Sequence, residues 1–406
     1  MHSFVPGRLD RITEHLNRCY IDRGKIVGCQ VLVARGGHIA YQREFGQADR
    51  ERGKALGADT IFRIYSMTKP ITSVALMMLY EEGRFRLSDP VASVLPEWRE
   101  QRVWVAGEGE QMQTEAAKRP VSIRDLLSHT GGITYGNALA ALGAEPSVHP
   151  VDQVYRKLRI RRDRNENLSE FAKKLGQVPL MYQPGERWMY SLSTDVCGAL
   201  VEAISGMPFD EFLKQRIFGP LGMRDTGFSV PPEKLDRFAA CYRRGAEKQL
   251  EVADDPHTSV YRERPVFVSG GGGLTSTIAD YHRFAEMLRR GGELDGERLL
   301  SRRTLHLMTQ NHLPGGQDLT KLAIGAFSET ANEGIGFGLG FAMTIDPVAA
   351  GSLSQGDFYW GGAASTIFWV DPHADLVVIF MTQLIPSRTF DFRGQLKSLV
   401  YSSLDD

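Results

Sequence analysis

The chain has 406 residues, of which 42% are hydrophobic, 9% aromatic and 24% charged. These values are typical of a globular protein, and they disfavour intrinsic disorder, collagen-like repeats and a long coiled coil. The 48 Lys and Arg residues against 49 Asp and Glu residues give a formal net charge of -1. That balance provides no electrostatic basis for binding nucleic acid or a membrane surface.

Targeting segments and metal motifs are not expected in this sequence. The N-terminus lacks the apolar stretch of a signal peptide, and no apolar run approaches the about 18 residues of a membrane helix. The cysteines (Cys19, Cys29, Cys197 and Cys241) form no C-x-x-C pair and have no histidine at zinc-ligand spacing. We therefore expect a soluble, cytoplasmic protein without a disulfide framework, a metal or a cofactor.

The N-terminal part is predicted to form a helix, a hairpin and a second helix. Apolar residues recur with a helical period over residues 8–22. Two apolar runs, 27–34 and 39–45, flank paired glycines that supply the positive φ of a tight hairpin turn. Over residues 66–82 the period is helical again, and apolar side chains occupy nearly the whole circumference. Such a helix is expected in the centre of a protein.

The middle of the chain, roughly 86–264, shows short helical patterns between loops marked by glycine and proline. It includes a polar stretch at 99–119 with no predicted element. The basic segment 156–164 is interpreted as a solvated helix face, because acidic residues follow it at once and the overall charge is balanced.

The C-terminal part is predicted to be rich in strands. Within the block 334–382, two apolar runs at 367–370 and 376–380 flank a turn, and a helix is predicted over 388–401. Strands at both chain ends, separated by a helical middle, predict one antiparallel sheet made from both ends.

Ser66 and Lys69 form the single S-x-x-K of the sequence, at the start of the apolar helix. Residues three apart in a helix share a face, so the Lys69 amine can reach the Ser66 hydroxyl. A serine nucleophile needs an adjacent base, and a desolvated lysine can serve as that base. The free N–H groups of a helix start also favour negative charge at Ser66. The alternative is a serine helix cap beside an exposed lysine, and position alone does not separate the two.

Other catalytic motifs are absent or incomplete. The sequence has no G-x-S-x-G and no H-E-x-x-H. The glycine-rich segment 269–273 lacks the Lys-Ser/Thr of a P-loop, and we interpret it as a tight turn beside a crowded sheet.

Three segments resemble those of a known enzyme family. Residues 62–70 (FRIYSMTKP) resemble the nucleophile segment of class C β-lactamases and their esterase relatives, within the superfamily of serine β-lactamases and penicillin-binding proteins. Residues 126–133 (LLSHTGGI) and 271–277 (GGGLTST) resemble further segments of that branch, the latter ahead of a helix predicted at 279–290. Their order and spacing match over nearly the whole chain.

The second catalytic element of this branch is Tyr-x-Asn, which Tyr190 and Leu192 match in part. They follow residues 184–188 (PGERW), a turn that leads into this element in the family. The resemblance implies that Tyr190, with its phenolate stabilised by Lys69, acts first as a base and later as an acid. Leu192 replaces the asparagine that contacts the amide side chain of a lactam. An aromatic wall residue is the alternative for Tyr190.

The third element, Lys-Thr-Gly, is replaced by Trp360, Gly361 and Gly362, which resemble the Trp-Gly-Gly of family VIII carboxylesterases. The missing lysine removes the cation that helps hold a β-lactam carboxylate, and the tryptophan adds an apolar stacking surface. The glycines let a substrate lie against the strand, and the Ala363 N–H is a candidate to join that of Ser66 in an oxyanion hole. A plain core role is the alternative for Trp360.

Two further residues near these motifs have different expected roles. His129 suits a catalytic triad by type, but it resembles a position outside the chemistry of the family and is expected to be structural. Tyr135 is a candidate for lining the pocket. Residues 136–180 match no motif.

The resemblance implies an α/β, β-lactamase-like fold, with an antiparallel sheet flanked by helices and an inserted, mainly helical subdomain. We predict a sheet domain from residues 1–85 and 265–406, a subdomain from 86–264, and an active site between them. The implied function is a serine carboxylesterase that hydrolyses short-chain acyl esters through an acyl-enzyme on Ser66.

Alternatives to the carboxylesterase remain open. A β-lactamase, a D-alanyl-D-alanine peptidase or an acyltransferase would use the same residues, and a non-catalytic scaffold protein is a further alternative. The expected partner is a small-molecule ester, with no nucleic acid and no membrane. The sequence does not indicate the oligomeric state.

Overall fold

The computed structural model describes residues 3–136, 138, 147–160, 166–324, 333–354 and 356–405. The α-helices in these ranges are α1 (Asp10–Leu16), α2 (Thr68–Glu81), α3 (Ile123–Leu127), α4 (Pro150–Lys157), α5 (Leu168–Leu175), α6 (Ser193–Ser205), α7 (Phe209–Leu213), α8 (Ile278–Arg289), α9 (Arg302–Met308), α10 (Leu319–Leu322) and α11 (Phe392–Tyr401). The strands are β1 (Ser3–Phe4), β2 (Gly28–Arg35), β3 (His38–Asp49), β4 (Lys54–Ala55), β5 (Phe62–Arg63), β6 (Arg102–Ala106), β7 (Gln113–Ala116), β8 (Cys241–Arg244), β9 (Leu250–Asp254), β10 (Thr275–Ser276), β11 (Glu293–Leu294), β12 (Glu297–Arg298), β13 (Ile335–Phe337), β14 (Ala342–Thr344), β15 (Phe358–Gly361), β16 (Ile367–Asp371), β17 (Leu376–Thr382), β18 (Leu384–Ile385) and β19 (Leu404–Asp405).

The largest sheet in the described part of the chain unites the two chain ends. Its strands follow the order β13-β14-β15-β16-β17-β2-β3-β4, and neighbouring strands are antiparallel. The joint between the ends is the pair of β17 with β2, in which Phe380 lies opposite Val31. The predicted antiparallel sheet from both ends is confirmed. The division into domains at residues 85 and 265 stays a prediction.

Helices cover both faces of this sheet. Phe380 of β17 packs against Phe392 of α11 with ring centroids 4.9 Å apart. In β16, Ile367 is paired with Phe380 and therefore lies on the same face of the sheet. The next residue, Phe368, points to the opposite face, where its ring centroid lies 5.0 Å from that of Tyr281 of α8. Every residue of β2, β16 and β17 is buried. Strands buried on both faces read as continuous apolar runs, which is why the sequence pattern predicted them within a few residues.

Helix α2 lies in the interior, as its apolar circumference predicted. Residues 68–79 are all buried, and α2 packs against α6, which also contacts α3, α5 and α7. The helix begins two residues later than expected. Ser66 lies instead in a 3-10 turn, Tyr65–Met67, that leads into α2.

The middle of the chain contains β-structure that the sequence interpretation missed. The polar stretch at 99–119 includes an antiparallel hairpin of β6 and β7, and β8 forms a second hairpin with β9 while pairing in parallel with β18. Most side chains of β6 and β7 are exposed or half-buried. Because such strands need no apolar face, the alternation that marks a strand in the sequence is missing.

Three predicted elements differ from the observed ones at their ends. The helix predicted over 8–22 is α1 followed by a π-helical turn, Asn17–Ile21. The last helix begins only at Phe392, where the Asp391 side chain caps it by accepting the Gly394 N–H. In the basic segment, the exposed Arg156 and Lys157 end α4, whereas its residues 161–164 lie outside the described residues.

The described ranges contain neither a membrane-spanning helix nor a metal-binding cluster. No helix there is both long enough and apolar enough to cross a membrane. The same residues contain no group of three or more His, Cys, Asp or Glu side chains arranged to hold a metal ion.

Candidate active site

Ser66 and Lys69 come together where the 3-10 turn enters α2. Lys69 Nζ lies 3.3 Å from Ser66 Oγ, and it also donates to the Tyr135 hydroxyl at 2.8 Å and to the Gly271 carbonyl at 2.5 Å. Lys69 is 1% exposed and Ser66 is 8% exposed. The lysine is therefore desolvated, while Ser66 keeps a small exposed fraction. This burial is incompatible with the alternative of a helix cap beside an exposed lysine.

The backbone around Ser66 is held from several sides. Tyr65 has a φ of 41°, in the left-handed region, so the chain turns sharply just before the serine. The Tyr281 hydroxyl donates to the Met67 carbonyl at 3.0 Å, and the Leu274 N–H donates to Thr68 Oγ1 at 3.2 Å. These bonds fix the start of α2 against α8 and the segment that follows the glycines.

Two tyrosine rings flank the Lys69 amine. Lys69 Nζ lies 4.5 Å from the ring centroid of Tyr190 and 5.5 Å from that of Tyr135, and the two rings are 5.2 Å apart. Tyr190 stands three residues before α6, and the packing of α6 on α2 brings it to the lysine. The structure thus brings together Ser66, Lys69, Tyr190 and the candidate pocket residue Tyr135.

Trp360 supports this group from β15. Its side chain is 1% exposed, and its ring lies 5.3 Å from those of both Tyr190 and Phe337. The contacts of Trp360 in the described structure are thus to the catalytic tyrosine candidate and to the core. A stacking role for Trp360 towards a substrate stays a prediction.

The end of β15 approaches the nucleophile segment closely. Gly361 is the last residue of the strand, and a Cβ on Gly362 would overlap the Ile64 carbonyl oxygen. Ala363 follows and is 8% exposed, like Ser66. Among the described residues, neither the Ala363 N–H nor the Ser66 N–H donates to a protein acceptor. Both donors are therefore available for an oxyanion.

His129 lies beneath Tyr190 without contacting Ser66. Its Nδ1 is 2.9 Å from Ser191 Oγ, its Nε2 is 3.4 Å from Thr194 Oγ1, and its ring is 5.2 Å from that of Tyr190. Complete burial, and then the charge of Lys69, hold the pKa of His129 well below its usual range. The lowered pKa favours the neutral imidazole, and the contacts of His129 agree with a structural role.

The glycine segment 269–273 has neighbours other than those expected. It does form a turn, with the Gly273 N–H donating to the Ser269 carbonyl at 3.0 Å. Crowding comes from helices rather than from a sheet: a Cβ on Gly270 would lie 2.8 Å from the Thr194 carbonyl oxygen of α6. The predicted turn is therefore present, whereas the sheet expected beside it was wrong, because Gly270 lies against Thr72 of α2 and Thr194 of α6.

Sequence reasoning missed Asp195, which is fully buried in the first turn of α6. Its Oδ1 accepts the Ser269 hydroxyl at 2.5 Å and the Gly271 N–H at 3.0 Å. A signal was available, because Asp195 is the only charged residue between Tyr190 and Val201. Buried charges in such apolar surroundings need partners, and many of them serve a function.

Comparison with known proteins identifies the family of this chain. The family described as Beta-lactamase matches residues 9–400, and the chain belongs to it. Esterase EstB of Burkholderia gladioli is 33% identical over 397 residues, covering 93% of this chain and 90% of EstB. Protein Rv1367c of Mycobacterium tuberculosis (strain ATCC 25618 / H37Rv) is 34% identical over 376 residues, covering 91% of this chain and 89% of that protein.

A solved structure shows the same fold. EstCE1, described as a hydrolase with promiscuous acyltransferase activity, matches with a TM-score of 0.77 and 28% sequence identity, covering 97% of this chain and 98% of that chain. The β-lactamase-like fold predicted from the sequence is confirmed.

Proposed function

We propose that this chain is a serine carboxylesterase that hydrolyses small acyl esters through an acyl-enzyme on Ser66. The observation that carries the proposal is the buried Lys69 amine, 3.3 Å from the Ser66 hydroxyl and flanked by two tyrosines. The similarity to esterase EstB and to the hydrolase EstCE1 supports ester hydrolysis as the activity.

In the first step, Ser66 Oγ attacks the ester carbonyl carbon and gives up its proton. Lys69, in its neutral form, and Tyr190 form the base that receives this proton. The Gly271 carbonyl can only accept a hydrogen bond, so the amine presents an N–H to it in the charged and in the neutral form. The remaining positions of the amine, including the lone pair of the neutral form, are left for the Ser66 and Tyr135 hydroxyls.

The tetrahedral intermediate carries a negative oxygen that must be stabilised. The N–H groups of Ser66 and Ala363 supply this stabilisation, since neither donates to a protein acceptor in the described structure and both residues keep a small exposed fraction. Loss of one such donor typically lowers turnover by roughly 10²- to 10³-fold.

Breakdown of the intermediate returns the proton to the leaving alkoxide through Tyr190. Water then attacks the acyl-enzyme, with the same groups accepting its proton, and releases the carboxylic acid and free Ser66. The Tyr135 hydroxyl, 2.8 Å from Lys69 Nζ, extends the hydrogen-bonded path along which this proton can move. An alcohol in place of water would give acyl transfer, the alternative that the description of EstCE1 supports.

The proposed substrates are short-chain acyl esters of neutral alcohols or phenols. By the resemblance of its motif, Trp360 replaces the lysine that helps hold the substrate carboxylate in lactamases, so a β-lactam or a D-alanyl-D-alanine peptide would lose that ionic contact here. The cytoplasmic location expected from the sequence stays a prediction.

The proposal is tested by measuring kcat/KM for p-nitrophenyl butyrate and for a chromogenic cephalosporin side by side, with Ser66→Ala as the control. We expect a much larger value for the ester, and its loss in the variant. A preference for the cephalosporin would instead favour a β-lactamase. Failure of a fluorophosphonate to label Ser66, under conditions that label a known serine hydrolase, would favour a non-catalytic scaffold.

A further inference from the structure

Asp195 takes no part in the proton transfers described above, yet a single residue, Gly271, links it by hydrogen bonds to the proposed base, Lys69. The Gly271 N–H donates to Asp195 Oδ1, and the carbonyl of the same residue accepts from Lys69 Nζ. We propose that Asp195 is a positioning residue of this active site, which holds the Gly271 carbonyl in place as the acceptor for Lys69. The inference rests on the function proposed above.

The peptide group between Gly270 and Gly271 is held from both sides. Its N–H donates to Asp195 of α6, and its carbonyl accepts the Thr72 hydroxyl of α2 at 2.8 Å. Because a peptide group is planar and rigid, two bonds at its opposite edges fix its orientation. This peptide group is thus held between α2, which carries Lys69, and α6, which follows Tyr190 in the chain.

The glycines explain why such a clamp is needed. Side chains are excluded here, since a Cβ on Gly271 would lie 2.6 Å from Asp195 Oδ2. Consecutive glycines, however, have the greatest conformational freedom of any residues. Asp195 restricts that freedom a second time through the Ser269 hydroxyl, which donates to the same Oδ1 at 2.5 Å.

The consequence for catalysis concerns the direction of the Lys69 amine. The Gly271 carbonyl belongs to the next peptide group, which begins at the Gly271 Cα that the clamp holds and whose Gly272 N–H donates to the Ser269 carbonyl at 3.4 Å. With both peptide groups restrained, one N–H of the amine points to Gly271 and the rest of the amine faces Ser66 and Tyr135. If the Gly271 carbonyl rotates away, the amine loses this hydrogen bond and can adopt other orientations. The hydrogen bond between Lys69 Nζ and Ser66 Oγ is then formed less often. The expected defect therefore lies in the chemical step, with little change in substrate binding.

The test compares Asp195→Ala with Asp195→Asn. Alanine removes the acceptor of both bonds, whereas the amide oxygen of asparagine keeps it. A matched control is Asp280→Ala, because the buried Asp280 likewise accepts one backbone N–H, from Asp225 at 2.7 Å, and one hydroxyl, from Thr226 at 2.9 Å.

The measured quantities are the second-order rate of Ser66 labelling by a fluorophosphonate, kcat and KM for p-nitrophenyl butyrate, and the melting temperature. Asp195→Ala is expected to lower the labelling rate and kcat about 10- to 100-fold with KM nearly unchanged, the size of effect that misplaced catalytic groups produce. Asp195→Asn is expected to stay within about threefold of the wild type, since its geometry is kept. Asp280→Ala is expected to lose stability and keep the wild-type labelling rate.

Three results would overturn the inference while leaving the proposed function intact. These are a wild-type labelling rate in Asp195→Ala, an Asp195→Asn variant as slow as Asp195→Ala, and an equal loss in Asp280→Ala. If Asp195→Ala does not fold, Ser269→Ala replaces it, with an expected decrease of about threefold for one lost hydrogen bond; an unchanged rate there overturns the inference as well. A wild-type chain that is not labelled at Ser66 overturns the proposed function, and this inference with it.

Discussion

The sheet core between β17 and α11 and the polar group around Lys69 are both closed to solvent, but burial serves different purposes in them. Phe380 in the sheet core is 0% exposed and Lys69 is 1% exposed. The contacts of Phe380 are apolar and without direction, such as the ring of Phe392 at 4.9 Å. Those of Lys69 are directed hydrogen bonds from one nitrogen to three oxygens.

The two regions therefore contribute differently to the free energy of unfolding. Burying apolar surface contributes about 25 cal/mol per Å², so the sheet core stabilises the fold wherever its volume is filled. Burying an amine costs free energy unless every donor finds an acceptor. In the polar group, the hydrogen bonds of Lys69 have to offset that cost, and what the burial provides is a desolvated amine, the proposed base, beside Ser66. Changes in the two regions should accordingly separate stability from activity.

The largest expected effect breaks the polar group and leaves the sheet core intact. In Lys69→Met, an apolar side chain of similar length replaces the buried lysine and removes the amine. Because Ser66 then lacks its base, kcat/KM for p-nitrophenyl butyrate is expected to fall by about 10³-fold or more. A variant that keeps more than a tenth of the wild-type activity, measured on folded protein, would show that Lys69 is not the base.

The converse change breaks the sheet core and leaves the polar group intact. Phe380→Ala is expected to lower the free energy of unfolding by about 3–5 kcal/mol, because it opens a cavity against Phe392. Urea unfolding gives the stability, and kcat/KM per Ser66 labelled by fluorophosphonate is expected to match the wild type. Phe380→Leu, which keeps most of the volume, should lose less. A fall in activity per labelled site would mean that the two regions are coupled.

A smaller effect is expected where the sheet meets the active site. In Gly362→Ala, the new Cβ overlaps the Ile64 carbonyl and pushes the Ala363 N–H away from Ser66. We expect kcat to fall about 10- to 100-fold, as for a weakened oxyanion-hole donor. The control is Gly227→Ala, whose Cβ would meet its nearest neighbour only at 3.6 Å. Equal activities of the two variants would remove Ala363 from the proposed oxyanion hole.

The smallest expected effect is a pH dependence of stability from His129. Burial, followed by the charge of Lys69, lowers the pKa of His129 in the folded state, so it is neutral there, whereas the unfolded chain binds a proton below about pH 6.5. The unfolded state therefore gains protons first, and stability falls as the pH drops below about 6.5. His129 contributes about 1.4 kcal/mol per pH unit to that slope.

The comparison that checks it is His129→Gln against the wild type, by urea unfolding at pH 7.5, 6 and 5. The variant should show the shallower decline on the acid side, and the two curves should run parallel above about pH 6.5. The half-buried His282 and His312, whose pKa values are also lowered, are present in both proteins, so their contributions cancel in the comparison. Parallel curves over the whole range would mean that His129 does not stay neutral in the folded protein.

What the sequence determined is local or rests on family motifs. The central strands could be predicted because strands buried on both faces need continuous apolar runs, and the Ser66–Lys69 pair could be predicted because a helix brings residues three apart onto one face. The roles of Tyr190, Trp360 and Ala363 came from the resemblance and stay predictions, and the Gly362→Ala variant tests the role of Ala363.

Only the tertiary structure decided which distant groups complete the site. Gly271 lies 202 residues from Lys69 along the chain, Tyr135 lies 66 residues away, and Asp195 is linked to the lysine through Gly271. Chain spacing encodes neighbours within one helix or strand, whereas contacts between elements depend on how buried surfaces fit. The packing of α6 on α2 around the glycine-rich segment therefore determines which groups accept hydrogen bonds from the Lys69 amine. No local sequence pattern predicts these partners.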